Sequence, residues 1–209
     1  MNIVVIANDG LKQELLKSGT EENAGIAWIN DINTIPANTQ ICIDLLFAED
    51  RKKRKEIFDT VKAEIIIVND VTETTMNLPD NYVRINGWPT FLKRTITEAS
   101  CNNECIRIKA EEVLKVFNRK TEWVPDVPGF ITARIVSTII NEAYFALEDK
   151  VSTCEEIDTA MKLGTNYPYG PFEWSKLIGI KNVYSLLEIL SKENSRYTAS
   201  VLLKKEAKK

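Results

Sequence analysis

The sequence predicts an α/β domain over residues 1–125, followed by an all-α domain over residues 126–209. Before residue 126, short apolar runs of strand length alternate with helical or polar stretches, which is typical of buried strands joined by helices. After residue 126, apolar residues recur at helical spacing through successive amphipathic segments.

Short apolar runs predict the strands of the first domain. The predicted strands are Met1–Ala7, Gly25–Ile29, Ile41–Phe47, Ile65–Val68, Cys105–Ile108 and Thr121–Val124. Helices are predicted over Leu11–Leu16 and Glu111–Phe117, and a basic helix is expected after the third strand. Only a loop fills the interval between Asp31 and Gln40.

Pro128 predicts the start of the first helix of the second domain, because a proline lacks the backbone N–H that has no partner in the first helical turn. Apolar residues then recur at Ile131, Ile135, Ile139, Ala143 and Leu147, with Val136 and Ile140 beside them. This stripe is wide, so we expect the helix to be buried on most of its girth.

A second amphipathic helix follows. Ser152 or Thr153 is the expected cap at its start, and Gly164 is expected to end it. A turn rich in aromatic residues, 166–173, leads to a third helix, and helical periodicity continues over residues 182–203.

Composition restricts the class of protein. The chain has 209 residues, 44% of them hydrophobic, and a net charge of −3, which argues against general nucleic-acid binding. No apolar run reaches membrane-spanning length, so we expect a soluble cytoplasmic protein. The four cysteines do not suggest a disulfide framework, and no metal site is expected because the chain has no histidine and no second cysteine pair.

Five short strings stand in the second domain. They are Pro128-Gly129-Phe130-Ile131, Asn141-Glu142-Ala143, Glu156-Ile157-Asp158, Ala160-Met161-Lys162-Leu163-Gly164 and Gly170-Pro171-Phe172-Glu173. In order and spacing, they resemble the C-terminal helical domain of 3-hydroxyacyl-CoA dehydrogenases. The resemblance implies a Rossmann-like N-terminal domain, here shortened, with NAD as cofactor and an acyl-CoA-type substrate. It also implies a homodimer formed through the helices around residues 130–147 and 183–202.

The glycine-rich turn with which dinucleotide folds bind a pyrophosphate is absent. The pattern G-x-G-x-x-G would fall on Ala7, Asp9 and Lys12, with Gly10 out of phase. Asp9 places a negative side chain where a phosphate would lie on the helix N-terminus. Asp31 is either the acidic residue that holds the ribose hydroxyls or part of a polar turn.

The resemblance implies substrate contacts that this chain keeps only in part. Asn69 matches a polar residue of the family's substrate-binding turn, whereas Val71 falls where a serine is expected, and nearby threonines either replace it or only cap the turn. Ala133 stands in place of a substrate-contacting asparagine, and Arg134 after it is kept. Asn69 and Arg134 are therefore the candidate substrate-binding residues. The basic run 51–55 either contacts coenzyme A phosphates or is a solvated helix face.

The catalytic pair that the resemblance implies is a histidine oriented by a glutamate. The histidine takes the hydroxyl proton of the substrate while a hydride leaves for the nicotinamide. Counting back from Glu98 places Asn86 at the histidine position, and counting back from Pro89 places Ile85 there. Neither side chain is a base near neutral pH, and Glu98 remains as the candidate catalytic carboxylate.

Two functions are compatible with these residues. The first is a degenerate family member that keeps the scaffold as a binding or assembly module without standard catalysis. The alternative is an active NAD-dependent 3-hydroxyacyl-CoA oxidoreductase of fatty-acid metabolism, in which Glu98 acts alone as the base. A general base contributes a rate factor of about 10²–10⁴, so its absence together with that of the glycine turn favours the first function.

Overall fold

A seven-stranded sheet is the centre of the first of the two units into which the chain divides, and this unit ends at Phe130. The computed structural model describes residues 2–22 and 24–209, so Met1 of the predicted first strand lies outside the described residues. The strands are β1 (Asn2–Ile6), β2 (Gly25–Ile29), β3 (Ile41–Asp44), β4 (Ile65–Asn69), β5 (Tyr82–Ile85), β6 (Ile96–Ser100) and β7 (Lys120–Trp123). The predicted Rossmann-like α/β part is confirmed.

The order of the strands across the sheet is β2-β1-β3-β4-β5-β6-β7. Neighbouring strands are parallel except for β5 and β6, which are antiparallel. The central strands β1, β3 and β4 consist mainly of isoleucine and valine and are almost completely buried, as expected for parallel strands covered on both faces. β2 lies at the edge of the sheet and is half exposed.

The helices of this unit are α1 (Asp9–Leu16), α2 (Arg51–Val61) and α3 (Glu104–Lys115). The prediction of a strand over Cys105–Ile108 is wrong, because these residues lie in the first turns of α3. The Asn103 side chain accepts hydrogen bonds from the backbone N–H groups of Cys105 and Ile106, which starts a helix. Ile106 is buried and Ile108 is 57% exposed, so the run is apolar without being a buried strand.

The boundary of one further strand differs from the prediction, and two strands were not predicted. β3 ends at Asp44 instead of Phe47, because the Asp44 carboxylate accepts a hydrogen bond from the Leu46 N–H at 2.9 Å and the chain turns there. β5 and β6 are absent from the predicted strands, because Arg84 interrupts the apolar pattern of β5 and polar residues interrupt that of β6.

A short connection leads from β2 to β3. It contains the 3₁₀ turn Ile32–Thr34, and α2 packs against this turn. β1 lies between β2 and β3, so the chain crosses from one side of β1 to the other at this point. In open α/β sheets, a crevice forms at the carboxyl ends of the two strands between which the connections change side, here β1 and β3.

The second unit, Ile131–Lys209, is helical, which confirms the predicted all-α part. Its helices are α4 (Thr132–Glu148), α5 (Cys154–Thr165), α6 (Pro171–Ile178), α7 (Ile180–Glu193) and α8 (Val201–Ala207). The prediction that the first helix starts at Pro128 is wrong. Gly129 has φ 86° and Phe130 has φ 48°, both in the left-handed region, so the helix begins only at Thr132.

α4 buries a narrower face than the sequence suggests. Its buried side chains are Ala133, Val136, Ser137, Ile140, Asn141, Ala143 and Tyr144. Ile131 and Ile135 from the predicted stripe are 49% and 53% exposed. The expectation that the helix is buried on most of its girth is therefore wrong for the single chain.

Thr153 is confirmed as the cap of α5. Its hydroxyl accepts the Glu156 N–H at 3.3 Å, and the Glu156 carboxylate accepts the Thr153 N–H at 3.2 Å. Gly164 does not end the helix, which continues to Thr165. Asn166, with φ 55°, is the left-handed residue that follows.

Residues of the five strings hold the helices of this unit together. The buried Asp158 on α5 accepts the N–H groups of Phe172 and Glu173, at 2.8 and 3.1 Å, and so caps α6. Asn141 on α4 donates to the Thr198 carbonyl and accepts the Ser200 N–H, both at 2.9 Å. These motif residues build the fold of the unit.

Candidate functional site

The two residues at the predicted catalytic position lie in contact. Asn86 directly follows β5, Glu98 lies on β6, and the Asn86 N–H donates to the Glu98 carbonyl at 3.0 Å. The Asn86 side-chain amide donates to the Glu98 carboxylate, also at 3.0 Å. An amide orients the carboxylate in this arrangement, but it has no lone pair basic enough to remove a proton near neutral pH.

Asn69 lies at the same edge of the sheet, at the end of β4. Its side-chain oxygen accepts the Gly87 N–H at 3.0 Å, and its amide nitrogen donates to the Leu45 carbonyl at 3.1 Å. A Cβ atom on Gly87 would come within 2.7 Å of Asn69 Cγ, so only glycine fits next to Asn86. The structure thus brings together Asn69, Asn86 and Glu98.

The turn after β4 contains the threonines of the predicted substrate-binding segment. Val71 is buried, and Thr72 and Thr74 are half exposed. Thr75 is buried, and both its backbone N–H and its hydroxyl donate to the Asp126 carboxylate, at 2.8 and 2.7 Å. The Thr74 hydroxyl accepts the Met76 N–H at 3.4 Å, as in the capping alternative, and Thr72 and Thr74 are the partly exposed threonines of this turn.

A charged network around this turn was missed by the sequence analysis. Asp70 is 1% exposed and pairs with Arg51 at 2.9 Å, while Arg84 is completely buried and pairs with Asp126. Burial lowers the pKa of Arg84, and Asp126 partly offsets that change. The signal that was available is Arg84 itself, a cation inside the otherwise apolar run of β5.

The N-terminus of α1 does not fit a dinucleotide pyrophosphate. The Asn8 side chain accepts the Leu11 N–H at 3.0 Å, so the helix is capped by the chain itself. Asp9 adds a negative charge to the first turn. One backbone N–H of the first turn is thus used by Asn8, and the Asp9 carboxylate offsets the positive dipole that would attract a phosphate.

Asp31 caps the short 3₁₀ turn Ile32–Thr34 after β2. Its carboxylate accepts hydrogen bonds from the backbone and side-chain nitrogens of Asn33, at 2.9 and 2.6 Å. These hydrogen bonds lower the pKa of Asp31. The observed contacts are those of the polar-turn alternative.

The arginines of the basic run 51–55 make ion pairs with the ends of the neighbouring strands. Arg54 is buried and contacts both carboxylate oxygens of Asp44 at 2.9 Å. Burial raises the pKa of Asp44 to about 6, although Arg54 and the Leu46 N–H act in the opposite direction. Arg51 pairs with Asp70, so Lys52 and Lys53 are left as the exposed cations of the run.

Arg134 lies in the second unit, on α4. Its guanidinium carbon stands 5.7 Å from the centre of the Tyr197 ring, within the range of a cation–π contact. Ala133, at the position where the resemblance implies an asparagine, is completely buried. Arg134 therefore belongs to a different unit from Asn69, Asn86 and Glu98.

Two general properties of the described residues bear on function. Over residues 2–22 and 24–209, no cluster of three or more cysteine or carboxylate side chains is arranged to hold a metal ion. In the same part of the chain, no helix combines the length and apolar character needed to cross a bilayer.

Comparison with known proteins identifies similar sequences. The family model for the 3-hydroxyacyl-CoA dehydrogenase C-terminal domain matches residues 129–209. The 3-hydroxyadipyl-CoA dehydrogenase of Escherichia coli strain K12 is 38% identical over 115 residues, which are 54% of this chain and 24% of that protein. A Deinococcus radiodurans protein named "Probable 3-hydroxybutyryl-CoA dehydrogenase" is 37% identical over 187 residues, or 83% of this chain and 64% of the relative.

The fold is also found among solved structures. The crystal structure of FadB2 from M. tuberculosis superimposes with a TM-score of 0.76 at 15% identity, over 99% of this chain and 93% of that one. The chain spans about a quarter of the length of the E. coli relative and just under two thirds of the Deinococcus relative.

Proposed function

Because this chain belongs to the 3-hydroxyacyl-CoA dehydrogenase family, we propose that it is an acyl-CoA-type binding or assembly module that does not catalyse standard hydride transfer. The observation that carries this proposal is the contact between Asn86 and Glu98 in a chain without histidine. The carboxylate that would orient a base is present, and an amide stands where the base would be.

The proton chemistry supports this assignment. Oxidation of a 3-hydroxyl group requires a group that accepts its proton as the hydride leaves, and such a base contributes a factor of about 10²–10⁴ to the rate. The Asn86 amide can donate a hydrogen bond to a substrate oxygen, but it does not accept the proton. Tyr82 is no substitute, because burial raises its pKa far above neutrality.

The cofactor site supports the same conclusion. NAD supplies the hydride acceptor in the family that this chain resembles. Here the Asn8 side chain caps the N-terminus of α1, and Asp9 places a negative charge in its first turn. The Asp31 carboxylate accepts hydrogen bonds from Asn33. We therefore propose that this chain does not bind a dinucleotide in the manner of its family.

An acyl-CoA thioester is the proposed ligand. The candidate contacts are the hydroxyl groups of Thr72 and Thr74 and the amide of Asn69, all in the first unit. Arg134, in the second unit, is a separate candidate substrate-binding residue. Lys52 and Lys53 are exposed cations that can attract the phosphates of coenzyme A.

We place the protein in the cytoplasm, where such thioesters are metabolised.

A homodimer is the proposed assembly. Ile131, at the N-cap of α4, and Ile135, one turn further along the helix, are about half exposed. They leave an apolar stripe at the surface of the single chain. Burial of this stripe against a second copy would remove apolar surface from water.

The alternative function is a dehydrogenase in which Glu98 is the base. The feature that favours it is the position of Glu98, which is half exposed on β6 with its carboxylate oriented by Asn86. A carboxylate is a weak general base, so this route predicts slow turnover that depends on Glu98.

One assay separates the two functions. Purified protein is mixed with acetoacetyl-CoA and NADH, and NADH absorbance is followed, with the Glu98→Gln variant in parallel. We expect no turnover above the buffer rate from either protein. Turnover by the wild type that is lost in Glu98→Gln would establish the alternative.

A thermal-shift series tests the ligand. Acetoacetyl-CoA and coenzyme A are compared with NADH at equal concentrations, because a ligand that binds the native state raises the melting temperature. We expect a rise with acetoacetyl-CoA and none with NADH. A rise with NADH alone, or with none of the three, would contradict the acyl-CoA assignment.

A further inference from the structure

Arg84 connects two segments of the first unit that are far apart in sequence. One is the post-β4 turn, defined as residues 70–75. The other is the linker, defined as residues 126–130, which ends where the second unit begins. Arg84 itself is completely buried within β5, and a buried cation is tolerated only when its partners are in place.

The guanidinium group holds the post-β4 turn through its backbone. Arg84 Nε donates to the Asp70 carbonyl at 2.9 Å, and Nη2 reaches the Val71 carbonyl at 3.5 Å. These are carbonyl groups at the exit of β4, so the direction in which the turn leaves the sheet depends on Arg84.

The same group holds the linker through side chains. Arg84 Nη1 pairs with the Asp126 carboxylate, and the guanidinium carbon lies 4.7 Å from the centre of the Phe130 ring. Phe130 is 2% exposed and has φ 48°, a conformation that persists only where the surroundings hold it.

The turn and the linker also contact each other directly. Asp126 accepts the Thr75 N–H at 2.8 Å, and the Gly129 N–H donates to the Val71 carbonyl at 2.7 Å. Burial raises the pKa of Asp126, but the hydrogen bonds from Thr75 and the charge of Arg84 outweigh that effect and lower the pKa overall. Opening the linker would leave the buried Arg84 without Asp126, and opening the turn would take hydrogen-bond partners from both Arg84 and Asp126. Both segments are therefore expected to open in one step.

We propose that the post-β4 turn and the linker form one cooperative unit closed by Arg84, so that they order and open together. The turn carries Thr72 and Thr74, the candidate ligand contacts. An acyl-CoA that orders the turn therefore also orders the linker, an extension that rests on the proposed function.

Amide hydrogen exchange, measured residue by residue, tests the coupling. The Thr75 N–H reports on the turn and the Gly129 N–H on the linker, and neither is bonded to Arg84. In Arg84→Lys, which keeps the charge but loses the planar fork, both amides should exchange faster by the same factor, about tenfold. The Ile66 N–H, bonded to the Asn81 carbonyl within the sheet, should not change.

Arg54→Lys is the matched control. Arg54 is also a buried arginine of the first unit, but it pairs with Asp44 and contacts neither the turn nor the linker in the bonds given above. A change of one reporter alone in Arg84→Lys, no change of either, or an equal change of both in the control would overturn the proposal. Should Arg84→Lys fail to fold, Asp126→Asn replaces it. That variant must then accelerate the Gly129 amide, to which Asp126 is not bonded.

Acetoacetyl-CoA provides the ligand arm of the experiment. Slower exchange at both Thr75 and Gly129 supports the coupling, and slower exchange at Thr75 alone overturns it. Protection of neither amide, with the Arg84→Lys result intact, counts against the proposed function and leaves the coupling supported.

Discussion

The side-chain amide of Asn86 donates a hydrogen bond to the carboxylate of Glu98 at 3.0 Å, across the antiparallel pair β5 and β6. The backbone of the same two residues is also hydrogen-bonded. Neutral amide and charged acceptor therefore form a charge-assisted contact within the sheet, which is a structural role that requires no catalysis.

Glu98→Gln should lower the free energy of unfolding by about 1–2 kcal/mol, because the hydrogen bond loses its charged partner. Glu122→Gln is the matched control, since Glu122 lies beside Glu98 in register on β7 and is exposed. Either change relieves the same repulsion between the two carboxylates, so the difference between the variants isolates the contact with Asn86. Urea denaturation measures the free energy of unfolding of both variants. Equal values would contradict a stabilising Asn86–Glu98 hydrogen bond.

Asn86→His tests the cofactor site. The variant restores a potential base next to Glu98, but Asn8 and Asp9 still close the N-terminus of α1. We therefore expect no turnover of acetoacetyl-CoA with NADH, while thermal unfolding confirms that the variant is folded. NADH oxidation by this single variant would show that a dinucleotide does bind.

Residue types predicted the architecture better than they predicted contacts. The apolar runs of β1 and β4 identified their strands, because parallel strands buried on both faces consist almost entirely of isoleucine and valine. The apolar run Cys105–Ile108 was wrongly predicted to be a strand. These residues start a helix because the Asn103 side chain caps it, and hydrophobicity does not show such a cap.

Part of the candidate site follows from the sequence. The resemblance implied that position 86 lies next to Glu98, and the antiparallel register of β5 and β6 brings the two residues into contact. The roles of Asp70, Arg84 and Asp126 depend on long-range ion pairs, which no local pattern contains. The left-handed backbone at Phe130 is another such feature, because its conformation is fixed by contacts and not by residue type.

Two glycines of the second unit make opposite predictions. A Cβ atom on Gly170 would lie 2.3 Å from the Asp158 side chain that caps α6, so Gly170→Ala should destabilise the protein by about 2–4 kcal/mol. Gly164 is helical, and nothing lies within 4 Å of its added Cβ. Gly164→Ala should therefore stabilise by about 0.5–1 kcal/mol.

Thermal and urea unfolding of the two variants provide the measurement. Tolerance of alanine at position 170 would show that the Asp158 cap is dispensable, whereas destabilisation by Gly164→Ala would show that the exposed end of α5 is constrained.

Stability should increase on mild acidification because of Asp44. Its pKa is about 6 in the folded protein and 3.8 as an unperturbed group. Between pH 3.8 and about pH 6, Asp44 is therefore protonated in the folded state and ionised in the unfolded state. The stability that Asp44 contributes is therefore fully present below pH 3.8, and it is lost as the pH rises through about 6. From about pH 7 to about pH 5, the free energy of unfolding should gain roughly 1–2 kcal/mol from this group.

Asp44→Asn removes this titration and should flatten the pH dependence in that window. Asp31→Asn is the control, because Asp31 is exposed and hydrogen bonds from Asn33 lower its pKa, which places its effect at more acidic pH. Asp70, whose pKa burial also raises, should leave a residual slope of the same sign in Asp44→Asn. An unchanged slope in Asp44→Asn would rule out Asp44 as the titrating group.

The exposed stripe on α4 predicts a dimer that a single charge disrupts. Ile135 is 53% exposed in the single chain, so Ile135→Asp should fold normally and yet place a charge at the proposed interface. Val151→Asp is the control, because Val151 is 72% exposed and lies after α4. Light scattering after size exclusion should give a dimer for the wild type and for Val151→Asp, and a monomer for Ile135→Asp. A monomeric wild type, or a dimer that persists in Ile135→Asp, would show that α4 does not form the interface.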